Sequence, residues 1–131
     1  MPFPLDEKWI ADAEQELGLR LPESYRNRLK RDNGGEVEAA GDWWTLHPIF
    51  DQSSRKRLKR TCNHVLAETN SAKSWREFPK DGLAIATNGC GDHLLLLVND
   101  RVGDSFDPMV WYWSHESGQK EPIADFAELA P

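Results

Sequence analysis

Residues 93–98 read HLLLLV, which is apolar on both alternations of a strand. A strand that faces water on one side alternates apolar with polar residues. One that does not alternate is covered on both faces. A strand therefore sits centrally in a sheet, with other elements packed above and below it. LAIAT (83–87) just before it has the same character, and TNGCGD between them supplies turn residues. MVWYWSH (109–115) reads as a further strand, ESGQ turns it, and KEPI is placed to pair back. DWWTLHPIF (42–50) reads as a strand that ends at Pro48.

Helical periodicity lies mostly in the first third of the chain. Residues 7–17 are expected to be helical, with Asp6 as N-cap and Leu5 and Ile10 forming a hydrophobic staple. Gly18 ends that helix. A second helix starts at Pro22, a favoured first helical position, with Tyr25 and Leu29 on its apolar side. Asn33-Gly34-Gly35 stops it with residues that tolerate positive φ. A third helix is expected to start near Ser53 or Ser54. Leu58, Cys62, Val65, Leu66 and Thr69 share one face of it at helical spacing. A short closing helix has Asp125 as N-cap and Glu128 at the capping-box position.

Two helices, a strand, a helix and several strands at hairpin spacing predict an α+β fold. Its central sheet is mainly antiparallel, with helices packed against it. The chain of 131 residues suits one domain over 1–131. No apolar run approaches the roughly 20 residues of a membrane helix. MPFPLDEKW lacks the basic segment and apolar core of a signal peptide. Two cysteines, Cys62 and Cys90, do not make a disulfide framework. The expectation is a reduced, cytoplasmic protein.

Cys90, between Gly89 and Gly91, invites a catalytic reading. A nucleophilic cysteine needs a base in reach and a pKa-lowering environment. His93 is close in sequence, but strand–turn–strand supplies neither the helix dipole nor the oxyanion donors of a nucleophile elbow. Asn-Gly and Gly-Asp are ordinary hairpin chemistry. Zinc drawn from Cys62, His64, Cys90 and His93 is disfavoured, because residues two apart on a helix point to different faces. No phosphate loop follows the glycines. Asp100, Asp104 and Asp107 lack calcium-loop spacing and read as turn residues. No catalytic residue, metal or cofactor is expected.

Net charge is −6 and the pI about 5.2, which argues against general nucleic-acid binding. An acidic body instead attracts basic partners and hastens encounter with them, although such charge also serves solubility alone. Yet five of the sixteen cations fall in RKRLKR (55–60), at the start of a helix, where the dipole disfavours them. Glu36, Glu38, Asp42 and Asp51 are available to compensate. Trp111 and Trp113 share a strand face and belong to the core. Trp43 and Trp44 are neighbours, so one of them points away from the side that the other covers, and the outward one is a candidate interface anchor.

Several residues together resemble a known family. In EQELGLRLPESYRNRLKRDNGGEV (14–37), Leu17, Gly18, Leu21, Pro22, Tyr25, Leu29, Asn33, Gly34 and Gly35 follow the N-terminal signature of the SUKH superfamily. LAIATNGCGDHLLLLV resembles its strand–G-x-G-D–strand segment, VWYWSHESGQ its next strand and turn, and IADFAELA its closing helix. The resemblance implies a binding domain without shared catalytic residues. It implies an immunity protein that neutralises a cognate polymorphic toxin, in many members a nuclease, by direct binding. The alternative is a regulator or adaptor of the cell-wall-assembly-regulator type, and an enzyme using Cys90 is the third reading. The partner expected is a basic protein toxin, not a membrane or a nucleic acid, and the chain a monomer or homodimer. Glu36, Glu38, Asp42, Trp43, Trp44 and Asp92 are the candidate partner-binding residues, with Asp92 either capping its turn or joining that surface.

Overall fold

The computed structural model describes residues 3–129 apart from Arg76, Asp100 and Val102. In chain order the elements are α1 (Glu7–Leu17), α2 (Glu23–Arg31), β1 (Glu36–Ala39), β2 (Asp42–Leu46), α3 (Arg55–Arg60), α4 (Val65–Ala72), β3 (Gly82–Thr87), β4 (His93–Val98), β5 (Phe106–Trp113) and β6 (Lys120–Asp125). A single 3₁₀ turn, Phe126–Glu128, follows. The six strands form one sheet in sequence order, and each neighbouring pair is antiparallel. The fold is α+β, as expected.

The two alternations of β4 enter two different cores. Leu94 and Leu96 pack with Ile10 and Ala13 of α1, Tyr25 and Leu29 of α2, and Trp44 of β2. Leu95 packs on the opposite face with Ala84, Trp113, Phe78 and Ala72 of α4. All three leucines are fully buried. Burial stabilises by about 1.5–3 kcal/mol per leucine, so a polar residue at any of these positions forfeits that and adds a desolvation cost. Helix α1 keeps its expected bounds. Asp6 accepts from the Lys8 N–H, Leu5 and Ile10 are buried, and Gly18 ends the helix at φ 71°.

Four expectations need correction. Residues 36–39 form a strand that the sequence reading did not include. Helix α2 starts one residue after Pro22. The one helix expected to start near Ser53 or Ser54 and run through Thr69 is two helices, α3 and α4, broken at residues 61–64. Thr61 Oγ1 donates to the Arg57 carbonyl (2.8 Å) and accepts from the Asp51 N–H (2.9 Å). His64 is extended and caps α4. The proposed stripe therefore dissolves, and Cys62 and Leu58 are exposed. The closing helix is the single 3₁₀ turn, capped by Asp125 through the Ala127 N–H.

Two buried polar residues lock the Asn33-Gly34-Gly35 turn. The Asn33 carboxamide donates to the Ile49 carbonyl (2.9 Å) and accepts from the Ile49 N–H (2.8 Å). Arg28 donates to the carbonyls of Gly34 (3.2 Å) and Glu36 (3.4 Å). Asn33→Ala would leave both Ile49 backbone groups buried and unpartnered. Its expected cost is about 2–4 kcal/mol by urea unfolding, and a loss well under 1 kcal/mol would contradict this role for Asn33.

Candidate functional site

The hairpin β1–β2 turns at Ala40 and Gly41, both at positive φ (51° and 75°), as a two-residue primed turn requires. Its register pairs Glu36 with Thr45, Val37 with Trp44, Glu38 with Trp43 and Ala39 with Asp42. Alternation then sorts the side chains. Glu36, Glu38, Trp43 and Thr45 share one face and all are exposed, Trp43 at 54%. Val37, Trp44 and Leu46 share the other face and are buried in the core. Trp44 is fully buried: its Nε1–H donates to the Ala39 carbonyl (2.9 Å) and its ring meets Tyr112 edge-on at 5.6 Å. Trp44 is therefore a core residue and leaves the surface candidates, while Trp43 remains.

Asp42 and Asp92 do not join that face. Asp42 lies at the hairpin end with the parity of Trp44, and its Oδ2 accepts from Asn88 Nδ2 (3.4 Å). Asp92 is an internal clamp, with its side chain only 13% exposed. Its carboxylate accepts from the Tyr112 hydroxyl (2.6 Å), the His115 N–H (3.1 Å) and His115 Nδ1 (2.7 Å). Burial raises the Asp92 pKa. The hydrogen bonds from Tyr112, His115 and Asn88 outweigh it and hold the carboxyl at about 2. The same hydrogen bond pushes the Tyr112 hydroxyl up to about 12. Asp92 thus ties the 88–91 turn to the end of β5.

Gly91 lets that clamp close. It sits at φ 96°, and a Cβ there would lie 3.1 Å from the His115 ring. Gly91→Ala is expected to cost about 1–3 kcal/mol, read as a lower thermal midpoint. An unchanged midpoint would show that the ring moves aside freely.

Cys90 is exposed at the tip of this turn, and its N–H donates to Asn88 Oδ1 (2.9 Å). His93 is buried, with its ring 6.5 Å from that of His47 and 5.9 Å from that of Trp113. His64 stacks on Phe50 and caps α4. The four zinc candidates are therefore dispersed. Among the described residues no group of three or more His, Cys, Asp or Glu side chains is arranged to hold a metal ion. Asp107 is not a turn residue but lies in β5, where it accepts from the Met109 N–H, and Asp100 lies outside the described residues.

His47 and His93 are both buried and both resist protonation. Burial, then the charge of His93, lowers His47 from 6.5 to about 4. Burial likewise lowers His93. Between those pH values the unfolded chain binds protons that the folded chain refuses. Stability is therefore full above pH 6.5 and falls as the pH drops towards 4. The thermal midpoint should decline over that window, and His47→Phe should make the decline shallower. An identical slope in the variant would contradict the assignment.

Residues 4–128 match a model of the SMI1 / KNR4 family (SUKH-1). The chain belongs to that family. No curated protein and no solved structure matches it.

In this SUKH-1 chain the residues that carry the family signature are mostly structural. Leu21, Tyr25 and Leu29 are core, Asn33 locks a turn, and Asp92 clamps another. The exposed β1–β2 face carries none of them. Trp75 belongs to the same face of the sheet as Trp43, and sequence reasoning missed it. It packs edge-on against Trp113 (6.4 Å) and His115 (5.7 Å) and stays 46% exposed. The signal available was its polar setting, KSWRE, which gives a tryptophan no apolar stripe to join. The basic helix α3 finds its compensation at Asp51, one of the four acids expected, and at Phe3, which was not. Arg57 approaches buried Asp51 (3.8 Å), and Lys56, Arg57 and Arg60 lie over the Phe3 ring at 4.7–5.6 Å. Among the described residues no helix is long and apolar enough to cross a membrane.

Proposed function

We propose that this SUKH-1 chain is a non-catalytic protein-binding domain that neutralises a cognate polymorphic toxin by direct binding. The observation that carries the reading is the β1–β2 face, on which Glu36, Glu38 and Trp43 lie together in solvent although tryptophan is highly buried on average. Family membership supports it. The two glutamates favour a basic partner surface and raise the association rate, and the tryptophan slows dissociation by filling a pocket in that partner. A nuclease toxin, whose substrate groove is basic, has the matching charge. The binding occludes that groove, so no bond is made or broken by this chain. The proposed setting is the cytoplasm, and the overall charge of −6 acts in the same direction as the face.

The same face would also serve a regulatory partner. The family description names SMI1 and KNR4, which makes an adaptor without a toxin the second reading. Co-expression with a candidate toxin from a neighbouring reading frame separates the two. Rescue of growth and a stable complex are expected. Trp43→Ala combined with Glu38→Lys should weaken that complex by about 2 kcal/mol or more without lowering the melting temperature. Absence of both rescue and complex would reject the toxin reading.

A further inference from the structure

A cleft of about 310 Å³ opens between α1 and the start of α4, away from the β1–β2 face and sharing no residue with it. Small-ligand pockets run from about 300 to 1,000 Å³, so this one suits a single side chain better than a cofactor. Its apolar lining includes Trp9, Phe50 and Leu66. The Phe50 and His64 rings stack on each other, 4.8 Å apart and inclined at 33°, and this pair forms the aromatic wall of the cleft. Asp12 and Glu16 form the rim. They are one turn apart on α1, both are exposed, and among the described residues neither makes an ion pair.

Two carboxylates at that spacing repel and weaken the helix that carries them. Lys8 makes no ion pair with either of them, and its ammonium lies over the Trp9 ring at 4.7 Å. The start of α4 adds roughly half a positive charge on the opposite wall, too little to balance two carboxylates. It also biases a cation towards the α1 side. His64 Nδ1 accepts from the Ala67 N–H, so the neutral ring presents Nε2–H, a donor, to its surroundings. The site therefore asks for a flat cation with an apolar stem. A guanidinium fits this better than an ammonium, since its plane stacks on aromatic rings while its edge forks to carboxylates.

We propose that this cleft receives an arginine side chain from a protein partner, paired to Asp12 and Glu16 and stacked on the aromatic wall. The identity of the donor as a protein rests on the protein-binding reading above, but the cleft is tested without any toxin. The probe is N-acetyl-arginine methylamide, titrated into the ¹⁵N-labelled chain and followed by NMR. Saturable shifts at millimolar probe are expected at the Trp9 indole and at the amides of Ala13 and Leu66. The neutral citrulline analogue should bind about tenfold more weakly, a difference near 1.4 kcal/mol. Asp12→Asn with Glu16→Gln should remove the preference for arginine over citrulline while keeping or raising the melting temperature. Equal binding of the citrulline analogue, shifts that map elsewhere, or no shifts would each overturn the proposal. Loss of toxin neutralisation with arginine binding intact would count against the proposed function and leave the cleft standing.

Discussion

The Asn33 carboxamide hydrogen-bonds both backbone groups of one buried residue, Ile49, and the rest of the layout depends on that pairing. No strand reaches Ile49, so its N–H and carbonyl would otherwise be stranded in the interior at a cost of several kcal/mol. By taking both, Asn33 fixes the end of α2 against the chain that leaves β2. The backbone N–H of Asn33 adds a third tie, to the Phe3 carbonyl (2.7 Å). Arg28 holds the turn from the other side. The helical layer and the β1–β2 hairpin thereby acquire one mutual orientation. Phe50, the next residue, is delivered to the cleft beside α1, while β1 leaves the same turn to present its acidic face.

That hairpin is an edge ribbon and carries the consequences of one. Only one of its faces has a layer to pack on, so strict alternation divides it into a buried half and a wet half. Tryptophan stands on each side: Trp44 within the core, Trp43 in water. Glu36 and Glu38 keep the four-residue edge strand from pairing with another chain indiscriminately, because charged, short edges resist such pairing. Acidic ribbon and basic α3 are separate elements of the surface. Phe3 and buried Asp51 organise three of the five α3 cations, Lys56, Arg57 and Arg60, which offsets part of their conflict with the helix dipole.

Much of the fold was legible because its signals are local. The α1 cap and stop, the two central strands, the 88–91 turn and the return strand each follow from a few adjacent residues. Strand β1 was not legible, since EVEA is short and its apolar members are a valine and an alanine. Pairing with β2 makes it a strand. The split of α3 from α4 was equally hidden. The spacing of Leu58, Cys62 and Val65 suits a helix, and the break comes from Thr61 bonding to Asp51, ten residues away. The candidate face was half legible. Acidic residues and a tryptophan pair were visible as types, but their division between two faces and a clamp was not.

By itself the sequence determined the class of fold, because a strand apolar on both alternations demands cover on both faces. It also determined the family, because the signature residues are those the core and turns require. Only the tertiary structure decided which side chains meet solvent. Asp92 is the clearest case: four neighbours in sequence suggest an exposed turn, yet Tyr112 and His115, more than twenty residues away for the latter, draw its carboxylate inward. Exposure is set by what packs from elsewhere in the chain, and no local pattern records that.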